Sequence, residues 1–443
     1  MKMIFFYSYL LLVFLSTTSL WAQERAGMAA YIKAETLREQ GNYAKAILEY
    51  DAAIAKEPQN LLYKTTKCQC YLNMFEVKQA IVCFEGISRE HPKDTSAVET
   101  LANLHATAQS LDNAILYFEK AAALSTSEDY KLSCYLNILN MLHIQNKMRK
   151  AGRYIQEAQK SNPKHFDLLF MEAEYSNIIG QYEKALVAID SVIKQLPKDN
   201  AHTSEFSKFY YQRTISLFNM GRYAEMKEAA KHVTDASLIG LIKFYTSEYQ
   251  QKMGEAYFKN YLYDKSLTAL TLAIRIDSSN AKARMLRADI YKIQSELTKT
   301  KLTEVERTWK EDLPNDKKSP RLAELAMLHF NSANYIKSLE RIQEYLTLNP
   351  LQHDMYILQA AANLLIKKPE LVIEQLEPLT KVDKVSNDVK NKSFMLMGMA
   401  HYDTKDYRKA YGFFKKASYG DYAEVAGWYM KDIREHHDLD KEL

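Results

Sequence analysis

Residues 166–199 read FDLLFMEAEYSNIIGQYEKALVAIDSVIKQLPKD. Apolar residues recur at three- and four-residue intervals on both sides of Gly180-Gln181-Tyr182, the pattern of two amphipathic helices joined by a tight turn. Gly180 supplies the left-handed conformation in which many helices end. Beyond it Ala185, Ile189 and Val192 lie four and three apart, on one face of a second helix. Pro197 closes that helix, because proline lacks an N–H and its ring clashes with the preceding turn. Ala173 and Ala185 are small enough to let the two helices approach closely.

The same arrangement returns about every 34 residues along the chain. A first copy carries Ala34, Leu37, Gly41-Asn42-Tyr43, Ala46, Tyr50, Ala53 and Pro58. A second carries Cys68, Tyr71, Ala80, Phe84 and Pro92, and a third Ala102, Ala114, Phe118 and Ala121. Ala151, Ile155, Ala158 and Pro163 mark a fourth; Leu217, Gly221, Tyr223 and Ala230 mark a sixth. Gly254, Tyr257, Tyr263, Leu270 and Ala273 form a seventh, and Ala288 with Tyr291 opens an eighth. Ala326, Tyr335, Ile342 and Pro350 form a ninth, Ala360 with Leu376 a weak tenth, and Gly398, Tyr407, Ala410, Phe414 and Ala417 the last. Repetition in one register means that units stack on their neighbours to bury a continuous core. The low counts of 12 Gly and 9 Pro exclude a disordered or strand-and-turn chain.

Small residue, Gly-x-Tyr turn, Ala, bulky residue, small residue and Pro together resemble the tetratricopeptide repeat family, over nearly the whole chain. The resemblance implies an all-α, right-handed superhelical solenoid of about eleven helix pairs. It also implies that the first helix of each pair lines a concave face, which binds peptides or partner helices in many members. A second stripe on the first helices, offset by one residue from the core stripe, is the candidate partner-binding surface: Phe170, Asn177, Tyr211, Phe218, Phe258, Met285, Met327 and Phe330. Aromatics on an open face are a liability unless something covers them. Burial between neighbouring first helices is the competing reading. Chaperone-binding members use a basic, Asn-rich clamp for a terminal carboxylate. The matching positions here are Tyr31, Glu35, Arg38, Thr65, Gln69 and Asn73, of which only Arg38 and Asn73 fit, so that subtype is rejected.

The pattern breaks most between Ser295 and Pro320, which is charged and ends in Pro314-Asn315-Asp316-Lys317-Lys318-Ser319-Pro320, read as a loop. Asp199–Glu205 is a smaller insertion. Tyr422–His436 reads as an extra amphipathic helix with Val425, Trp428, Tyr429 and Ile433 on one side, capping the exposed end of the array. The expected organisation is therefore a signal peptide at 1–22, a repeat segment at 23–294, an irregular helix and linker at 295–320, a second repeat segment at 321–420, and a capping helix and tail at 421–443. The leader rests on Lys2, the apolar stretch from Ile4 to Leu15, and Ala22 before the expected cut. That stretch is shorter than the roughly 20 residues that span a bilayer, so the mature chain is not expected to cross a membrane.

A balance of 59 basic and 55 acidic residues gives no nucleic-acid surface. Of the four cysteines, Cys68 and Cys70 point to different faces of a helix, which spoils a compact metal site. Buried thiols are the first reading of Cys68, Cys70, Cys83 and Cys134, and a disulfide the second. His105, His329 and His401 share one repeat position, four residues before the turn, which speaks for packing. The pair His436-His437 lies in a tail that cannot fix metal geometry. No Gly-rich phosphate loop, His-Glu-x-x-His or Gly-x-Ser-x-Gly is present. The chain thus reads as a non-catalytic scaffold or adaptor without cofactor or metal. It is expected in the periplasm or at the outer membrane, holding a protein or peptide of an envelope complex on its concave face. The other reading is a regulatory or substrate-holding subunit of an envelope enzyme.

Overall fold

The computed structural model describes residues 27–196, 206–309 and 313–437. The expected leader, the 199–205 insertion and the tail from 438 lie outside them. Among the described residues every regular element is a helix, and the helices form pairs: α1 (27–39) with α2 (Tyr43–Lys56), α3 (Leu61–Asn73) with α4 (Val77–Glu90), and α5 (Thr95–Thr107) with α6 (Leu111–Leu124). Then come α7 (Glu128–Ile144) with α8 (Gly152–Ser161), α9 (Phe166–Ile178) with α10 (Tyr182–Ile193), and α11 (Ser207–Asn219) with α12 (Tyr223–Lys231). A short extra helix, α13 (Ala236–Ile242), precedes α14 (Ser247–Lys259) and α15 (Tyr263–Ile276). The rest are α16 (Ala281–Ile293) and α17 (Glu296–Arg307), α18 (Asn315–Asn331) and α19 (Tyr335–Leu348), α20 (His353–Leu365) and α21 (Pro369–Lys381), α22 (Asn387–Asp403) and α23 (Tyr407–Ala417), and the last helix α24 (Ala423–His436). The chain divides into two compact units, residues 1–171 and 172–443, with the division inside α9.

The turns explain why pairs form. In ten of the eleven, one residue adopts positive φ: Gly41, Phe75, Gln109, Asn146, Gly180, Gly221, Tyr261, Ala333, Lys367 or Lys405. The next residue's N–H then reaches back five residues to a carbonyl, from Asn42 to Leu37 through Asp406 to His401, at 2.7–3.0 Å. That bond satisfies a carbonyl the helix end leaves open and turns the chain back on itself. Only three of these ten are glycines, so the Gly-x-Tyr signature marks the turn incompletely.

Seven residues before each of those turns sits Ala34, Cys68, Ala102, Leu139, Ala173, Thr214, Gly254, Ala326, Ala360 or Gly398, and all are buried. Here the first helix meets its own second helix. A Cβ added to Gly254 would lie 2.6 Å from Leu270 Cγ, and one added to Gly398 would lie 2.7 Å from the Phe414 ring.

In the first unit the core gathers Ala34, Ala46, Tyr50 and Cys70 around the first pairs, then Ala80, Phe84, Ile87 and Leu101. Cys68 on α3 and Cys83 on α4 face each other across their hairpin, with Cα atoms 5.5 Å apart, and are joined by a disulfide. This replaces the first reading of those two as free thiols; Cys70 and Cys134 are the buried thiols, and burial pushes Cys134 up to about 11.

In the second unit, α24 does more than cover the end of the array. Tyr429 stacks on Phe414 of α23 at 4.5 Å, and Val425, Ala426 and Ile433 are fully buried. The same helix lies against α14. The Tyr249 hydroxyl donates to the Glu424 carbonyl and Lys252 sits 3.4 Å from the Glu424 carboxylate; Lys259 pairs with Asp421 just before the helix, and Lys265 of α15 donates to the Tyr429 hydroxyl at 3.0 Å. Trp428, expected on the buried side, is 37% exposed. The buried line runs through 425, 429 and 433, one helical turn apart, and leaves 428 at its border.

The 314–320 stretch, expected as a loop, is helical from Asn315 onward with Pro320 inside α18. Pro320 removes one intrahelical bond near the helix start, where that loss is smallest, and burial of Leu322, Leu325 and Ala326 offsets it.

Candidate protein-binding surface

The offset stripe does not form one open surface. Phe170, in the first unit, is buried. Asn177 is buried too: its amide donates to the Gln212 carbonyl at 3.1 Å and to Gln212 Oε1 at 2.9 Å, and accepts from Ser216 Oγ at 2.8 Å. These bonds stitch α9 to α11, as a buried amide requires. Tyr211 is buried with its ring edge-on to Tyr245 at 6.4 Å, and half-buried Phe218 meets the same Tyr245 at 5.0 Å. Lys431 of α24 stands over the Tyr245 ring at 5.7 Å. Desolvation raises the Tyr211 and Tyr245 hydroxyls well above their ordinary range.

Phe330 is 2% exposed, enclosed by Tyr261, Tyr263 and Tyr335 at 5.9, 6.1 and 5.2 Å. Phe258 and Met327 are half-buried against the same cluster, where burial pushes Tyr263 up to about 12. Met285 alone among the eight stands open, at 68% exposure. Neighbouring helices of the same chain thus pack most of the stripe.

Met285 belongs to α16, whose surroundings are unlike those of any other first helix. Its turn, Gln294–Ser295, has φ of −92° and −79°, so the chain does not fold back there. α17 instead attaches to the following pair. Val305 is buried with Leu325 and Leu328, Lys301 lies 3.0 Å from Glu324, and Arg341 stands over the Trp309 ring at 5.4 Å. α16 keeps only Ala283 and Ile290 buried, in the cluster that holds Leu270 and Ala273 of α15. Ala288 and Tyr291, read from sequence as core, are exposed, Tyr291 at 56%. The buried line runs through 283 and 290 because only the α15 side of the helix is covered. The signal in the sequence was the polar composition of residues 295–309.

The three equivalent histidines are interior. His105 stacks on Tyr117 and His401 on Phe413, each at 5.3 Å, while His329 Nε2 lies 3.4 Å from Glu306. Desolvation lowers all three below their ordinary value of 6.5. At the rejected clamp positions, Tyr31 stacks on Tyr63 at 4.8 Å and Arg38 pairs with Glu35. Among the described residues no three His, Cys, Asp or Glu side chains are grouped to hold a metal, and no helix is long and apolar enough to cross a membrane. His437 stacks on Tyr407 at 3.7 Å; the side chain of His436 lies outside the described residues.

Residues 37–104 match the family model for the tetratricopeptide repeat. A tetratricopeptide repeat and J domain-containing co-chaperone from Fusarium oxysporum f. sp. lycopersici is 25% identical over 395 residues, spanning 86% of this chain and 71% of that protein. Similar solved structures include YrrB, described as a tetratricopeptide protein with an unusual peptide-binding site: 15% identity, TM-score 0.32, 54% of this chain and 97% of that one. The tetratricopeptide domain of P58(IPK) is 13% identical with a TM-score of 0.24, covering 93% of this chain and 99% of that one. A tetratricopeptide repeat protein from Parabacteroides merdae is 13% identical with a TM-score of 0.27, covering 76% and 97%.

Proposed function

We propose that this chain, similar to tetratricopeptide-repeat proteins over much of its length, is a non-catalytic scaffold of the cell envelope that holds a protein partner on its first-helix face. The observation that carries this reading is the open side of α16, where Met285, Ala288 and Tyr291 stand in solvent at positions that the preceding repeat buries as Gln251, Gly254 and Tyr257. An exposed apolar surface of this kind marks a contact with another macromolecule. The likeness to a co-chaperone supports a partner that is itself a protein. The order of Lys2, the apolar stretch from Ile4 to Leu15, and Ala22 supports export.

Tagged protein cross-linked in native envelopes and recovered under denaturing wash tests the reading. A discrete partner protein, enriched over an untagged control and depleted by Met285→Asp, is the expected result. Recovery of the chain alone, from the soluble fraction, would end it.

A further inference from the structure

Among the first helices α16 is the one whose own second helix has gone elsewhere. Ala288 lies 34 residues after Gly254, at the position where every other pair brings its two helices together, and it is exposed. Ala281, one heptad earlier, is exposed as well. The two mark a shallow line along the helix. Arg284 and Tyr291 border it on one side, Met285 and Lys292 on the other.

The charge of this face is one-sided. Lys282, Arg284, Arg287 and Lys292 make no ion pair with any described residue, and Asp289 is the one carboxylate on the helix. Elsewhere in the second unit cations commonly sit against carboxylates, as Lys299 does with Glu296 and Lys301 with Glu324. Cations left free beside exposed Met and Tyr side chains complement an apolar ridge flanked by acidic residues.

We propose that α16 is completed by an acidic amphipathic helix of a partner protein, laid on the side that α17 leaves open. This rests on the scaffold reading above and names the partner segment that the surface accepts. The bound helix presents its apolar ridge to Ala281 and Ala288, as second helices do throughout the array, with its carboxylates against Arg284, Arg287 and Lys292. A nucleic acid lacks the apolar ridge.

Fluorescence anisotropy of a labelled peptide of about 20 residues, Leu on one face and Glu on the others, tests this with the whole chain. Binding is expected to weaken at least about tenfold in the R284E/R287E double variant and in Ala288→Trp, which fills the line. Arg284 and Ala288 are exposed and Arg287 is half-buried, so Arg284→Glu alone, whose thermal melting should be unchanged, controls for any loss of fold at Arg287. Equal binding by wild type and both variants overturns the proposal. So does equally tight binding of a peptide of the same charge with its Leu face changed to Ser, which keeps the carboxylates without a ridge. If an envelope partner stays bound to R284E/R287E, the scaffold reading stands and this assignment falls. If the peptide behaves as expected while envelopes yield no partner, the surface stands and the scaffold reading falls.

Discussion

α14 and α16 are successive first helices of equal length, 34 residues apart, and they could hardly be treated more differently. α14 buries Tyr249, Gln250, Gln251, Met253, Gly254, Ala256 and Tyr257, whereas α16 buries Ala283 and Ile290. The contrast does not come from the helices alone. α14 is followed by Tyr261 in the left-handed conformation, which folds α15 onto it, and it is met from outside by α24. α16 is followed by a turn without that conformation, and α17 moves on to the next pair. Burial of a repeat helix is therefore decided at the turn that follows it, a few residues beyond its own amphipathic pattern.

The sharpest way to break this comparison uses two tyrosines. Tyr429→Ala, which removes the ring that joins α24 to α23 and α15, should lower stability by about 3–5 kcal/mol, while Tyr291→Ala should stay within about 0.5 kcal/mol. Urea denaturation measures both. A comparable loss at Tyr291 would mean that α16 is covered after all.

A second pair of changes probes the helix contact directly. Gly254→Val forces a side chain into Leu270 and should cost about 1–3 kcal/mol. Ala288→Val, at the equivalent position, should be nearly silent, within about 0.5 kcal/mol. If both variants melt together, the open side of α16 is closed in solution.

The turns give a smaller effect. Gly180 has φ of +79° with nothing closer than 3.9 Å to an added Cβ, so Gly180→Ala isolates the backbone penalty, about 1 kcal/mol. Ser295→Ala, where φ is −79°, should cost nothing measurable in the same melt. A penalty at 295 matching that at 180 would show that the turn after α16 needs the left-handed form too.

The smallest effect is that of pH. His329 and His401 have folded values below the ordinary 6.5, so the unfolded chain binds more protons. Stability should be full above 6.5 and fall as pH drops from there toward the lowered folded values. Neither α14 nor α16 carries a histidine, so acid should weaken α18 and α22 directly. Urea midpoints at pH 7.5 and 5.5 are expected to differ, and replacing His105, His329 and His401 together by Asn should flatten the difference. A midpoint that rises on acidification would reverse the sign.

Much of the fold was legible because the repeat pattern reports local physics. Ala34, Tyr50, Ala185 and Phe414 were assigned to the core from spacing alone, and all are buried. The turns at Phe75, Gln109, Lys367 and Lys405 were not, since nothing in those side chains announces positive φ; the reach-back hydrogen bond imposes it. The stripe from Phe170 to Phe330 was harder still. Whether an offset residue is open depends on how closely the next helices approach, and that is set by contacts such as Phe330 with Tyr261 and Tyr263. The meeting of α24 with α14 depends on a rotation accumulated over several pairs, which no single repeat encodes.

That meeting changes how the array can come apart. A stack of pairs that touch only their neighbours has low contact order, can nucleate anywhere, and can fray from its end one unit at a time. The bond from Tyr249 to Glu424 joins residues 175 apart and makes a closed loop of the intervening pairs. Loop closure of that length costs chain entropy, which the buried Tyr429, Val425 and Ile433 must exceed before the loop holds. Once it holds, the C-terminal pair is no longer a free end. Proteolysis that removes α24 should be felt at α14 as quickly as at α23, and the segment from 247 to 436 should lose its amide protection in one cooperative step.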